Sequence, residues 1–185
     1  MEIILASKSP RRLQLLQAAG FAVEVRPSHV DETPLPGESV VDMVQRLCRI
    51  KAVACPVNDH PVIAADTLVA LGDEALGQPV DMGDAKVMLQ KLSGQAHHVY
   101  TAVCVRLGEK SLAGMAKTDV RFRVLEDREI DVYLEHNDVL DKAGAYAIQA
   151  GASSFIEAIE GPLDNVIGLP VGLTKELLMN LCGDA

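Results

Sequence analysis

Leu5-Ala6-Ser7-Lys8-Ser9-Pro10-Arg11-Arg12 is the stretch that decides the fold. Residues 3–6, just ahead of it and into it, form an apolar run short enough for a buried strand. Ser7-Lys8-Ser9 interrupts that run with polar side chains. Pro10 then suits the first position of a helix, with Ser9 as its N-cap. Leu13, Leu15, Leu16 and Ala19 give the helix an apolar side, and Gly20 is a natural stop. A buried strand feeding directly into a helix is the building unit of an α/β protein.

The same alternation continues outward. Residues 21–25 alternate as a strand, and residues 27–38 form a loop rich in proline and acid. Ser39 caps a helix running to about Val53, with Val40, Val41, Val44, Leu47 and Ala52 at helical spacing. Residues 61–71 read as an apolar strand interrupted by Asp66-Thr67, and residues 84–92 as a helix. Strands follow over 99–107, which contains Thr101 and Cys104, and over 117–124, then a helix over 126–135. Residues 143–148 and 154–159 read as short strands, and 169–181 as a closing helix. Some neighbouring strands can pair as hairpins. With no internal repeat and no separating linker, residues 1–185 are expected to form a single domain.

A chain of 185 residues, 49% of them apolar, can bury a core without disulfides or a structural metal. Aromatic residues make up only 3% and tryptophan is absent, so the core is expected to be aliphatic. A formal net charge of −9 argues against nucleic acid or an anionic membrane as a partner, because both call for a basic face. No apolar run is long enough to span a bilayer, and the N-terminus lacks a basic segment and a cleavage site. Cys48, Cys55, Cys104 and Cys182 form no CxxC pair, which fits reduced thiols in a cytoplasmic protein.

Within this acidic chain, Ser7 to Arg12 concentrates two hydroxyls and three cations at a helix N-terminus, where free N–H groups and the helix dipole favour an anion. Arginine's planar fork matches phosphate oxygens. The segment is therefore either a phosphate site or a solvated basic turn; it is not a Walker A loop, whose glycine pattern is missing. Asp66 interrupts an apolar strand, so it either meets a cation or sits at an exposed strand end. There it could hold Mg²⁺ or take a proton from water. Asp31-Glu32 reads as a metal-binding pair or a solvated acidic loop, and Lys51 as a phosphate contact or an ordinary helix lysine. Lys142 to Gln149 sets small residues beside an amide that both donates and accepts, matching N3–H and an adjacent carbonyl of uracil or thymine. His97 and His98 point to opposite faces of a strand and so do not make a metal pair; structural roles are expected of them.

Taken together, Leu5 to Arg12, Lys51-Ala52, Ala64-Ala65-Asp66-Thr67, Leu92-Ser93-Gly94, Asp141 to Gln149, and Asn165-Val166-Ile167-Gly168-Leu169-Pro170 resemble, in order, the signatures of the Maf family. The resemblance implies a Maf/Ham1-like α/β fold, an elongated mixed sheet with flanking helices forming two lobes around a central cleft. It implies a nucleoside triphosphate pyrophosphatase that needs a divalent cation, Mg²⁺ or Mn²⁺, and it leaves a homodimer open. Asp66 matches the family's proton acceptor, and Arg11, Thr67 and Gln149 match positions linked to substrate choice. Ser7, Arg12 and Lys51 match further substrate-binding residues, and Glu32 with Asp66 would hold the metal. Gln149 resembles the dTTP/UTP branch; the 7-methyl-GTP branch carries an acid there. One departure is Gly77-Gln78-Pro79, where many members have lysine in the middle position. The alternative function is a nucleotide-sensing module linked to septum formation that hydrolyses little, and modified pyrimidine triphosphates are a further candidate substrate.

Overall fold

A computed structural model describes residues 1–56 and 59–183. Its strands are β1 (Glu2–Leu5), β2 (Ala22–Val25), β3 (Val62–Leu71), β4 (Glu74–Leu76), β5 (Ala96–Leu107), β6 (Lys110–Phe122) and β7 (Ile156–Glu160). Its helices are α1 (Pro10–Ala18), α2 (Val40–Ala54), α3 (Met82–Leu92), α4 (Asp127–His136), α5 (Leu163–Ile167) and α6 (Val171–Cys182). The strands form one mixed sheet of order β2-β1-β3-β5-β6-β7, with β4 paired to β3. This is the α/β class expected. Among the described residues no helix is long and apolar enough to cross a membrane.

The chain divides into two compact units, each assembled from separated segments, so no linker marks the division in the sequence. The first comprises Met1–Thr67, Thr101–Ala116 and Gly168–Ala185. Here β1 pairs in parallel with both β2 and β3. The chain moves to one side of β1 through α1 and to the other through α2. Right-handed crossovers in opposite directions place the two helices on opposite faces. The packing agrees. Leu16 of α1 joins Ile3, Leu5, Ile63 and Ala65 in one apolar cluster, completed by Leu177 and Leu178 of α6. The alternate residues Ile4, Val62 and Ala64 face the other way and are fully buried too. This near-continuous apolar character is what a parallel strand covered on both faces requires. The cluster is aliphatic, as the composition implied.

The second unit comprises Leu68–Tyr100 and Lys117–Ile167. Its core is less aliphatic than expected. Phe122, Tyr133, Tyr146 and Phe155 join Leu89, Leu92, Val120 and Ile130, so four of the six aromatic residues gather here. Glu126 and Glu129 form a capping box at the start of α4, and Asn165 ties α5 to the sheet through Val99 O (2.9 Å) and Thr118 Oγ1 (3.0 Å).

Several boundaries differ from expectation. β5 and β6 begin earlier and form a hairpin closed by the two-residue turn Gly108-Glu109, with Gly108 at φ 58°. β4 is only three residues long, too short for alternation to show. Residues 143–148 are not a strand: Gly144 (φ 70°) and Ala145 (φ 59°) take the left-handed backbone, leaving 3-10 turns at Ala143–Ala145 and Ile148–Ala150. The later strand starts at Ile156, after a third such turn at Ala152–Phe155. The closing helix starts at Val171, behind Pro170, with α5 before it.

Candidate active site

β1 ends where Leu5 pairs with Ile63 and the Ala6 N–H donates to Ile63 O. β3 continues past that point, so Asp66 and Thr67 lie beyond the carboxyl end of β1. In open α/β sheets ligands bind at such an end, where the chain's connections diverge to either side. Alternation then separates the two side chains. Asp66 shares a face with Val62 and Ala64, and Thr67 shares the α1 face with Ile63 and Ala65.

On the Thr67 face, Ser9 caps α1, its hydroxyl accepting the Arg12 N–H. The Arg12 side chain turns back across the strand end. Its Nε donates to Gly168 O (2.9 Å), one terminal nitrogen to Ala65 O (2.7 Å) and Ser7 Oγ (3.0 Å), and the other to Thr67 Oγ1 (3.1 Å). Thr67 also hydrogen-bonds with the buried Thr101 hydroxyl at 3.0 Å. Gly168 adopts φ 125°, open only to glycine, and its carbonyl accepts from Arg12. Burial lowers the Arg12 pKa, the nearby Arg11 charge lowers it further, and Asp66 opposes both. Arg11 and Asp66 thus act on the same guanidinium.

On the Asp66 face, Lys51 projects from the last turn of α2. Its Nζ bonds Asp66 Oδ1 at 2.6 Å and Glu32 Oε1 at 2.9 Å. Asp66 therefore meets a cation, the first of its two readings. Its carboxyl pKa is nonetheless raised: burial outweighs the pull of Lys51 and Arg12, and Glu32 adds to the rise. Glu32 is held by the fold of its loop. Asp31 accepts from the Thr33 N–H (2.9 Å) and hydroxyl (2.6 Å), and Arg46 of α2 grips Glu38 and Thr33 O. Arg46 and Glu38 were not singled out in the sequence; eight positions apart across a loop and a helix cap, they carry no recognisable spacing.

The first unit thus brings together Ser7, Arg12 and Thr67 with Glu32, Lys51 and Asp66, and Arg11 acts on the same group. Gln149 belongs to the second unit, exposed on the turn Ile148–Ala150. Gln78 is exposed in that unit too and donates to Asp141 O at 3.2 Å. His97 is fully buried, whereas the neighbouring His98 pairs with Asp119 at 2.5 Å, so the two do face opposite ways. Burial pushes the Cys48 thiol up to about 12, which leaves it a poor nucleophile.

Two carboxylates converging on one cationic centre make a donor set suited to a hard divalent ion. Such ions commonly take one or two carboxylates and complete their shell with phosphate oxygens and water. Among the described residues no group of three His, Cys, Asp or Glu side chains forms a complete cage.

The chain is similar to several named proteins. A protein of Anaeromyxobacter dehalogenans named dTTP/UTP pyrophosphatase is 48% identical, aligned over 95% of this chain and 92% of its own. Proteins of the same name from Geobacter sulfurreducens (45%; 91% of each chain) and Shewanella sp. strain MR-7 (44%; 96% and 97%) are also similar. A solved structure of the Ham1 protein of Staphylococcus aureus gives a TM-score of 0.46 at 14% identity, covering 66% of this chain and 72% of that one. The family model described as Maf-like protein matches residues 2–181, and with relatives this similar along nearly their whole length, the chain belongs to the Maf family.

Proposed function

We propose that this protein hydrolyses dTTP and UTP to the nucleoside monophosphate and pyrophosphate, the activity that its relatives' name describes. The observation that carries the reading is the Glu32–Lys51–Asp66 cluster beside Arg12, at the carboxyl end of β1. It puts a buried, proton-accepting carboxylate within the field of several cations.

In the reaction a water oxygen bonds to the α-phosphorus as the bond to the α–β bridging oxygen breaks. Asp66 takes the water's proton, and pyrophosphate departs with the bridging oxygen. A carboxylate raised above its ordinary value is the stronger base, provided it stays ionised. Lys51 and Arg12 serve that proviso, since both favour the ionised form. Arg11 and Lys51 supply positive charge to the phosphates. Arg12 adds its own charge and fixes the Ser7 and Thr67 hydroxyls, because most of its donors are committed to the protein. Glu32 and Asp66 would hold a divalent cation, Mg²⁺ or Mn²⁺, which when bound neutralises phosphate charge. Gln149 selects the pyrimidine by matching N3–H and a neighbouring carbonyl.

The test is a turnover panel with purified protein, Mg²⁺ or Mn²⁺, and canonical and modified triphosphates. Monophosphate and pyrophosphate are expected in equal amounts, fastest from dTTP and UTP. Release of orthophosphate instead would overturn the bond assignment. Tight nucleotide binding without hydrolysis would favour the sensing module.

A further inference from the structure

The backbone of the second unit is strained at one point. Ala145 is the only described residue other than glycine with a positive φ, 59°, and it follows Gly144 at 70°. A side chain in that region is sterically disfavoured and persists only where its surroundings over-determine it. Here three contacts do so. The Gly144 N–H donates to Gly77 O at 3.0 Å, and a Cβ on Gly144 would meet Val69 Cγ2 at 3.0 Å. Tyr146 Oη lies 2.9 Å from His97 Nε2, both residues being buried. The Ala147 N–H donates to Tyr133 Oη at 3.0 Å.

The third contact leads to Gln149. While the Ala147 N–H is held by Tyr133, the Ala147 carbonyl accepts from the Ala150 N–H (3.0 Å) and the Ala152 N–H (3.3 Å). Those bonds close the turn that carries Gln149. The position of Gln149 therefore depends on a peptide unit anchored from the core.

The second contact has a feature that packing alone does not call for. His97 Nε2 and the Tyr146 hydroxyl share one hydrogen bond, one donating and the other accepting according to the imidazole tautomer, while His97 Nδ1 is buried with no hydrogen-bond partner among the described residues. Leaving a buried polar atom unsatisfied is unfavourable. A phenylalanine in place of His97 would keep the edge-on packing against Phe122 (centroids 4.9 Å) and Tyr146 (5.5 Å) with no polar atom to satisfy. The hydrogen bond to Tyr146, and the backbone it pins, account for a histidine there.

We propose that His97 and Tyr133 are positioning residues for base selection: through Tyr146 and the Ala147 peptide they fix the turn that presents Gln149. This rests on the reading of Gln149 as the pyrimidine-selecting side chain. A displaced Gln149 weakens base binding without touching the reacting phosphate, so the loss falls on KM rather than kcat.

The experiment compares the full chain with Tyr133→Phe, His97→Phe, His97→Gln and Gln149→Ala, measuring kcat and KM for UTP and GTP. Tyr133→Phe keeps the ring against Phe155 and removes only the oxygen. We expect Tyr133→Phe and His97→Phe each to lower the UTP-over-GTP ratio of kcat/KM about tenfold, through KM for UTP, with kcat changed less than about twofold. His97→Gln, which keeps a donor beside Tyr146, recovers most of that ratio. Amide exchange at Ala150 quickens about tenfold in Tyr133→Phe while that of Val103 stays unchanged. Variants that keep the wild-type ratio, or an Ala150 amide unaffected in Tyr133→Phe, would overturn the proposal. Failure of the parent reading shows separately: Gln149→Ala would then leave the ratio untouched.

Discussion

Asp66 combines burial with three charged neighbours, and its titration is where the chemistry becomes measurable. In the proposed mechanism it must be ionised to accept a proton, so kcat/KM is expected to fall as pH drops through its folded pKa, which lies above the ordinary 3.8. Lys51 is the strongest of the influences holding that value down. In Lys51→Met the acidic limb of the pH profile is therefore expected to move to higher pH, in whatever activity remains; a limb at the wild-type position would contradict the assignment. The two readings of Asp66 were both legible in the sequence, because a carboxylate within an apolar strand has few outcomes. That Lys51, fifteen positions away, is its partner was not legible, since an exposed helix lysine has the same signature. Nor was the use of Arg12 as a brace, whose acceptors include the Ala65 and Gly168 carbonyls. Main-chain acceptors leave no mark in composition.

The strand–loop–helix passage from β1 to α1 was readable almost to the residue, because Ser9, Pro10 and Gly20 each act through local backbone chemistry. The segment 143–148 misread as a strand shows the opposite case. Its small and β-compatible residues suit an extended chain, but contacts with Gly77, Val69, His97 and Tyr133, all remote in sequence, impose left-handed turns. Gly144 is where this constraint is tightest. Gly144→Ala would place a side chain at φ 70° and a Cβ 3.0 Å from Val69 Cγ2. A loss of about 1–3 kcal/mol is expected from the backbone strain alone. Urea denaturation would register it as a lower midpoint, and an unchanged midpoint would mean that the turn relaxes without cost.

Across the chain, two cores of different composition coexist. The first unit is aliphatic, as a sequence without tryptophan implied, and the second concentrates most of the few aromatic rings. Composition averages over both, so that difference was invisible in it, as was a division made from interleaved segments. The charge pattern follows the same logic. A net charge of −9 argues against a broad basic face, yet Arg12 and Lys51 both act on the one carboxylate of Asp66, and Arg11 acts on Arg12. A chain that is repulsive to polyanions overall can still hold a triphosphate locally, because short-range contacts outweigh a screened distant field.

Removing the charge of Asp66 separates its chemical role from its structural one. The folded chain holds this proton more tightly than the unfolded chain, so the stability linked to Asp66 is fully present below 3.8 and is lost as pH rises through the folded value. At neutral pH its ionisation is thus a net cost to the fold, and in Asp66→Asn Lys51 still faces Glu32. Pyrophosphate release from UTP by Asp66→Asn should fall by at least ~10²-fold, the usual contribution of a general base, with a melting temperature no lower than wild type. Near-normal release from a well-folded Asp66→Asn would remove the base from the mechanism and the site with it.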